Sequence, residues 1–350
     1  MPDAQGRVRW GVISTAKIGV EKGVIAAGDE ADHGVITAIS SRDADKAAAA
    51  AVQLGIEKSY GSYQELLDDP DIDAVYNPLP NSLHAEWTIK AAQAGKHILC
   101  EKPLAVNAAE ARTMVDACDE NGVLLMEAFM YRFGNRNLRA REIVKDGGLG
   151  QARLVRVGFS FPLPRNAENV RLQKDLAGGA LADIGSYTIS IARYLFDAEP
   201  MAVDARLDID REFEVDIGGL ITLDFPGHRR AALDFSFAMS RRQRYEVVGT
   251  AATMNVEECF LPVSDVRTVD VERREGTAGD PGPEQRVAEP FPPLNTYTAE
   301  FEVMSKAVLT GAPLPWGGEE AVNQIRIMDA VRESHASGRR VGLEPLQEAD

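Results

Sequence analysis

The stretch that decides the fold is residues 8–19, VRWGVISTAKIG, a mostly apolar run that ends in small residues. The run Val8–Ser14 is typical of a strand buried within a sheet. A helical pattern begins at Lys17 and continues to about Ala27. A strand, a tight turn and a helix in this order predict the first repeat of an α/β fold.

Strand and helix patterns alternate over the first 130 residues. The predicted strands after the first are Val35–Ser40, Ile72–Tyr76, His97–Cys100 and Val123–Ala128. The predicted helices are Asp43–Leu54, a short helix capped by Ser62 and Glu65, Ser82–Ala94 and Asn107–Asn121. Because short strands joined by helices form right-handed βαβ units, this half predicts a parallel sheet covered on both faces.

The pattern changes after a helix near Asn135–Lys145. Residues 231–237 alternate apolar and polar side chains, which predicts an antiparallel sheet with one buried face. The predicted strands are Arg153–Phe161, Ala202–Ile209, Gly218–Phe225, Arg230–Phe237, Tyr245–Gly249, Thr253–Glu257 and Arg267–Arg273. The other predicted elements are helices Ala180–Phe196, Asn295–Leu309 and Glu319–Ser337 and a loop at Glu275–Pro283. We therefore expect two domains, residues 1–130 and 131–350.

Composition excludes several kinds of partner. Lys plus Arg number 38 and Asp plus Glu number 54, so the formal net charge of −16 argues against nucleic acid or an anionic membrane. No run reaches the ~18 apolar residues of a membrane span, and the polar first nine residues lack a signal-peptide core. Three widely spaced cysteines favour buried thiols in a reducing cytoplasm. No metal site is expected, because the five histidines have no ligand spacing: His33, His84, His97, His228 and His335.

The turn after the first strand has the features of a dinucleotide site. Such a site needs a tight turn of small residues, usually spaced G-x-G-x-x-G, with a helix N-terminus facing the pyrophosphate. This chain has Ser14, Ala16 and Gly19 at that spacing. The predicted cofactor contacts in the turn are Ser14, Thr15, Ala16, Lys17 and Ile18. The motif alone is equally typical of any strand–turn–helix in an α/β protein.

The end of the second strand bears on which dinucleotide binds. An NAD-preferring fold usually has Asp or Glu here to bind the ribose 2′-hydroxyl, whereas this chain has Ser41 and Arg42. A guanidinium can pair with a 2′-phosphate. The residues therefore favour NADP(H), and the alternative is a solvated arginine at the start of a helix.

Two further elements indicate a chemical site. Lys102, between Glu101 and Pro103, follows a parallel strand, where ligands of open α/β sheets bind. Asp183 and Tyr187 are four residues apart after two glycines, which predicts one shared helix face. If the domains enclose a cleft over the nicotinamide, Lys102 would lower the pKa of Tyr187 for proton transfer and stabilise an alkoxide. The alternatives are a surface lysine, a first-turn acid and a core tyrosine.

These motifs resemble the Gfo/Idh/MocA oxidoreductase family. The resemblance is carried by Glu101-Lys102-Pro103, by the small-residue turn, by residues 80–84 (PNSLH) and by residues 178–187 (GGALADIGSY). Tyr187, where other members have His, and residues 126–133 (MEAFMYRF) resemble the branch of glucose–fructose oxidoreductase, xylose dehydrogenase and dimeric dihydrodiol dehydrogenase.

The resemblance implies an N-terminal Rossmann domain with a doubly wound parallel sheet and a C-terminal α/β domain with an open, mostly antiparallel sheet. It places Lys102, Asp183 and Tyr187 around the substrate. It also implies that Tyr131 and Arg132 wall a sugar pocket, the alternative for these being interdomain core. The residues implied near the nicotinamide are Pro80, Asn81, His84, Glu101 and Lys102.

The leading hypothesis is an NADP(H)-dependent dehydrogenase of an aldose or a cyclic diol. The alternatives are a reductase of keto-sugars, including nucleotide-linked ones, and a regulatory NADP-binding protein without catalysis. The open sheet of the second half predicts a homodimer or homotetramer, because an exposed apolar face favours association.

Overall fold

The computed structural model describes residues 3–274 and 282–344, apart from the side chain of Arg274. These residues form two compact units. The first contains the chain up to Met130 together with Asn295–Ile325, and the second contains Tyr131–Leu294 and the chain from Arg326 onward. The expected second domain, 131–350, thus includes a segment that the structure assigns to the first unit.

The first unit is built on a six-stranded sheet. Its strands are β1 (Val8–Ile13), β2 (Gly34–Ser40), β3 (Lys58–Tyr60), β4 (Ala74–Asn77), β5 (His97–Glu101) and β6 (Leu125–Ala128). Their order is β3-β2-β1-β4-β5-β6, and every pairing is parallel. This is the doubly wound order of a Rossmann fold, as predicted. The sequence analysis missed β3, which has only three residues.

The α-helices of the described residues follow in order. They are α1 (Lys17–Val20), α2 (Val24–Asp29), α3 (Ala44–Leu54), α4 (Tyr63–Asp68), α5 (His84–Gln93), α6 (Ala108–Glu120), α7 (Asn135–Lys145), α8 (Ser186–Phe196), α9 (Thr296–Thr310) and α10 (Gly318–Ser337). The prediction of a single helix from Lys17 to Ala27 is wrong. Gly23 adopts a φ of +79°, a left-handed conformation that separates α1 from α2.

A late segment completes the core of the first unit. The Trp10 side chain on β1 is fully buried, and its indole Nε1 donates to Ser305 Oγ on α9 at 3.0 Å. The Trp10 ring also meets Phe301 edge to face, with 5.0 Å between centroids. Because these partners lie about 295 positions further along the chain, β1 has a complete core only after α9 has returned to it.

The second unit contains a nine-stranded sheet. Its strands are β7 (Ala152–Ser160), β8 (Ala202–Ile209), β9 (Asp216–Phe225), β10 (Arg229–Ser236), β11 (Arg242–Gly249), β12 (Ala252–Glu257), β13 (Arg267–Arg274), β14 (Glu284–Phe291) and β15 (Val341–Gly342). The order is β14-β13-β12-β11-β7-β10-β9-β8-β15. Only the central pair of β7 with β10 is parallel, so the sheet is mostly antiparallel, as predicted.

Two of these strands, β14 and β15, are missing from the sequence prediction. Most of the predicted loop at Glu275–Pro283 lies outside the described residues, and β14 begins directly after it.

The two faces of this sheet differ in chemistry. Helix α8 packs on β7 and β10, where Leu233 and Phe235 are buried. The opposite face is charged. Its ion pairs are Arg156–Glu246, Arg230–Asp224, Arg242–Asp234 and Arg244–Glu257. The expectation of an exposed apolar face is therefore wrong for the centre of the sheet, because period-two alternation places arginines and carboxylates there.

Candidate active site

The turn after β1 has the backbone conformation that a dinucleotide site requires. Ser14 adopts a φ of +96°, a conformation that strongly favours glycine. Its hydroxyl accepts a hydrogen bond from the backbone N–H of Ala16 at 3.3 Å, and α1 begins at the next residue, Lys17. The turn lies where the strand order reverses, between β2 and β4, which is where ligands of open α/β sheets bind. Ser14 and Ala16 are small residues, as a turn that approaches a pyrophosphate requires.

The end of β2 provides a cation and no available carboxylate. The nearest acid, Asp43, caps α3, because its side chain accepts from the N–H groups of Asp45 and Lys46. Arg42 is exposed and lies beside the Tyr63 hydroxyl of α4. Burial raises the pKa of Tyr63, and the Arg42 guanidinium partly offsets this increase. The contact between Arg42 and Tyr63 was not predicted from the sequence.

His84 joins two loops at the carboxyl edge of the sheet. The imidazole is fully buried, with Nε2 2.7 Å from the Leu79 carbonyl oxygen and Nδ1 2.9 Å from that of Pro103. Both ring nitrogens are thus engaged by backbone. In the described structure His84 connects the loop after β4, which carries Pro80 and Asn81, to the loop after β5.

Glu101 fixes the start of the loop that bears Lys102. One carboxylate oxygen of Glu101 accepts from the Tyr76 hydroxyl at 2.7 Å, and the other accepts from the backbone N–H of Lys102 at 3.2 Å. The Tyr76 ring is fully buried on β4, the strand next to β5. Burial and the neighbouring carboxylate raise the pKa of Tyr76. Lys102 is therefore anchored through its backbone at the end of β5.

The segment Gly178–Tyr187 departs from the predicted α-helix. Residues Leu181–Gly185 form a π-helical turn, in which the Ser186 N–H bonds to the Leu181 carbonyl five residues earlier. Helix α8 continues from Ser186. Asp183 therefore lies in the π-turn and Tyr187 in the first turn of α8, so the predicted regular four-residue helical spacing does not hold. π-turns are rare, and the sequence analysis had no signal for this one.

Asp183 has a partner that the sequence analysis missed. Arg171 Nε donates to Asp183 Oδ2 at 2.6 Å, and both side chains are partly buried. Arg171 lies in the loop between β7 and the glycines. The pair holds Asp183 as an oriented carboxylate.

Tyr187 lies in an aromatic cluster. Its ring centroid is 5.8 Å from that of Tyr131, 5.5 Å from Phe159 and 5.3 Å from Phe260. The Tyr131 hydroxyl and Arg132 Nη2 both lie 2.7 Å from Ser190 Oγ on α8.

Tyr131 and Arg132 are buried residues of the second unit. Tyr131 has no exposed surface and Arg132 has 2%. Their contacts with Ser190 support the side of α8 that carries Tyr187. The sequence analysis missed Phe159 and Phe260, which are separated from Tyr187 in sequence and read as ordinary core positions.

The described residues include histidines, cysteines and acids, which are side chains that can hold metal ions. No group of three or more His, Cys, Asp or Glu side chains that could hold a metal ion occurs there. No described helix is long and apolar enough to span a bilayer. Cys100, Cys118 and Cys259 are buried and unpaired, as predicted, and burial raises the pKa of each thiol.

Two family models match the chain. One is described as an oxidoreductase family with an NAD-binding Rossmann fold and covers residues 8–129. The other is the Gfo/Idh/MocA C-terminal domain and covers residues 137–255.

Relatives cover most of the chain. An NADP⁺-dependent D-xylose 1-dehydrogenase from Haloferax volcanii is 40% identical over 96% of this chain and 99% of its own. A trans-1,2-dihydrobenzene-1,2-diol dehydrogenase from Xenopus laevis is 34% identical over 71% of this chain and 74% of its own.

Solved structures agree with these relatives. The aldose–aldose oxidoreductase of Caulobacter crescentus has a TM-score of 0.86 at 29% identity, covering 96% of this chain and 100% of its own. A 3-ketoreductase of Actinomadura kijaniata with NADP and TDP-benzene has a TM-score of 0.84 at 31% identity, covering 94% and 98%. The comparisons confirm the predicted fold class and a nicotinamide-dependent oxidoreductase. The chain belongs to the Gfo/Idh/MocA oxidoreductase family.

Proposed function

We propose that the protein is an NADP(H)-dependent dehydrogenase that oxidises a CH–OH group of an aldose or a cyclic diol. The observation that carries this proposal is the anchoring of Lys102 by Glu101 at the carboxyl edge of a dinucleotide-binding sheet. The same chain presents an oriented carboxylate, Asp183, and a rigidly packed phenol, Tyr187.

The cofactor would be held by the first unit. We propose that the backbone of Ser14–Ile18 faces the pyrophosphate and that Ser41 and Arg42 bind a 2′-phosphate. The absence of an available acid at the end of β2 supports NADP(H) over NAD(H), because Asp43 is already used as a helix cap. We propose that Asn81 and Pro80 face the nicotinamide, and that His84 and Glu101 position the loops that carry the contacting residues. When bound, the nicotinamide accepts or supplies the hydride.

Side chains of this protein would accept the hydroxyl proton of the substrate. We propose that Tyr187 takes the hydroxyl proton of the substrate as hydride leaves carbon, with Lys102 stabilising both the phenolate and the developing alkoxide. Asp183, fixed by Arg171, would orient a substrate hydroxyl. The aromatic cluster restricts rotation of the Tyr187 ring. Because Tyr131 and Arg132 are buried and contact Ser190 on the same helix, we propose that they hold this helix in place and do not line the substrate site.

Three alternatives for the function predict different results in a substrate screen. Sugar or diol oxidation is favoured by relatives named as xylose and dihydrodiol dehydrogenases. Keto-sugar reduction is favoured by relatives named as dTDP-keto-sugar 3-reductases. A regulatory protein would bind NADPH without turnover. A screen that follows NADPH absorbance with D-xylose, D-glucose, trans-dihydrodiols and keto-sugars distinguishes all three.

The decisive experiment compares Tyr187→Phe with Tyr194→Phe. Both tyrosines lie on α8 and both are buried, so each variant loses one hydroxyl from the same helix. We expect Tyr187→Phe to lower kcat roughly 10²–10⁴-fold and Tyr194→Phe to change it little. Lys102→Ala should lower kcat more than it weakens NADPH binding, and Lys90→Ala, an exposed lysine on α5, is its control. Near wild-type kcat in Tyr187→Phe would show that Tyr187 only packs.

The assembly is a separate proposal. We propose a homodimer or homotetramer that associates through the open face of the nine-stranded sheet. Arg156, Arg230 and Arg244 alternate there with carboxylates, so two copies present complementary charges. An interface of this kind weakens as salt screens it. Light scattering at low and high salt should show dissociation with rising salt, and a monomer at micromolar concentration in both contradicts the proposal. We also propose a cytoplasmic location, supported by the three unpaired cysteines.

A further inference from the structure

The helix that bears Asp183 and Tyr187 has no cap within its own sequence. It begins at Ala180, directly after two glycines, and the methyl side chain of Ala180 cannot cap the first N–H groups. The missing acceptor comes from another element. The Asp216 carboxylate, at the first position of β9, accepts from the Leu181 N–H at 2.5 Å.

The local sequence is shaped around this carboxylate. A Cβ on Gly179 would lie 2.4 Å from Asp216 Oδ1, and Gly179 adopts a φ of +118°. A side chain at position 179 would therefore require the Asp216 carboxylate to move. The preceding glycine, Gly178, backs onto the carbonyl oxygens of Val170 and Arg171, at 2.7 and 2.6 Å from a built Cβ.

The capped turn leads directly to the proposed reacting groups. Asp183 lies two residues after Leu181 in the same π-turn, and Tyr187 follows in the next turn. The Asp183 N–H donates to the Gly179 carbonyl oxygen at 3.1 Å, and this hydrogen bond ties the position of Asp183 to that of Gly179. A displacement at Ala180 or Leu181 therefore moves both side chains.

We propose that Asp216 is a positioning residue for the dehydrogenase reaction, acting through the first N–H groups of the helix on Asp183 and Tyr187. This inference rests on the proposed function. Asp216 touches neither the substrate nor the reacting atoms, so its loss should affect turnover far more than cofactor binding, which we assign to the first unit.

The electrostatic surroundings of Asp216 supply an independent readout. Burial raises the pKa of Asp216 to about 6, whereas the Leu181 N–H, the Arg332 guanidinium on α10 and the Ala180 N–H lower it. Arg332 is the charged side chain that acts on Asp216 from a packed element. Below pH 6 the wild-type carboxyl becomes neutral, as the amide of an Asp216→Asn variant always is.

The test compares Asp216→Ala and Asp216→Asn with Asp208→Asn, which removes an exposed carboxylate from β8. We expect Asp216→Ala to lower kcat at least tenfold with NADPH affinity within twofold of wild type. Asp216→Asn keeps one oxygen acceptor and should recover part of that loss. The ratio of wild-type to Asp216→Asn kcat should fall toward one as the pH drops from 7.5 to 5. Hydrogen exchange of the peptide 178–187 should be faster in Asp216→Ala than in wild type, and unchanged in Asp208→Asn.

Several outcomes overturn the proposal. They are a kcat for Asp216→Ala within twofold of wild type, a loss of kcat that matches a loss of NADPH affinity, and a kcat ratio that does not change with pH. Failure of both Asp216 variants to fold would assign the residue to stability alone. A wild-type protein without turnover on any substrate refutes the proposed function instead, and the exchange measurement then still decides whether Asp216 caps the helix.

Discussion

The raised pKa of Asp216 predicts how the difference in unfolding free energy between wild type and Asp216→Asn changes with pH. The pKa of Asp216 is raised from its ordinary 3.8 to about 6, mainly by burial. Between these values the native protein holds a proton that the unfolded chain has lost. The free energy of unfolding that this group contributes therefore rises as the pH falls. The Asn variant lacks the titration.

The two pKa values set the size of the effect. Between pH 7 and pH 5 the wild type should gain about 1.4 kcal/mol of unfolding free energy relative to Asp216→Asn. Below pH 4 the gain should approach about 3 kcal/mol, which is the full difference of the two pKa values. The backbone hydrogen bonds to Leu181 and Ala180 change the unfolding free energy of the two proteins by an amount that does not depend on pH. The change of the difference with pH comes only from the titration of Asp216.

Urea unfolding of both proteins at pH 5, 6, 7 and 8, at constant ionic strength, measures the difference directly. Groups other than Asp216 titrate alike in both proteins and cancel in the subtraction. A difference that stays flat over this range, or one that grows in favour of wild type as the pH rises, refutes the assignment of Asp216 as a carboxylate that burial keeps partly protonated.

Three further predictions follow from the geometry. Arg42→Ala should lower kcat/KM with NADP⁺ by about 10- to 150-fold, or about 1.5–3 kcal/mol, and should leave the value with NAD⁺ unchanged; equal use of both cofactors by the wild type contradicts this. Ser305→Ala should lower the unfolding free energy by about 1–3 kcal/mol, because the buried Trp10 Nε1 loses its acceptor, and unchanged urea unfolding would show that α9 contributes nothing through this bond. Gly179→Ala should lower the unfolding free energy by about 1–3 kcal/mol because of its φ of +118° alone. Any further loss should be smaller in an Asp216→Ala background, where the oxygen that collides with the new Cβ is absent; equal losses of unfolding free energy in both backgrounds would exclude the collision.

Local patterns predict most of the first unit. Strand β1 and its turn, the helix caps at Ser62 and Asn107, and the carboxyl ends of β2 and β5 depend on residues close in sequence. The residues that we propose face the cofactor could therefore be placed on loops from the sequence alone. Strand β3 could not, because its three residues are too few to show a period.

The remaining features depend on contacts that are distant in sequence. Trp10 needs Ser305 and Phe301, so the return of α9 to the first sheet has no local signal. The π-turn at Leu181–Gly185 and its cap by Asp216 join elements 35 residues apart. The charged open face follows from the same period-two alternation as the buried face, because arginines and carboxylates occupy the positions between the buried residues.

The two glycines of the Gly178–Tyr187 motif have a steric explanation. Gly178 has to accommodate two carbonyl oxygens of the loop that carries Arg171, and Gly179 has to accommodate the carboxylate of Asp216. The loop also reaches Asp183 through Arg171 itself. The two glycines are therefore explained by two close contacts at the start of one helix, one with the loop and one with β9. Because both constraints act on the backbone, they fix the positions of Asp183 and Tyr187, the two residues to which we assign proton transfer and substrate orientation.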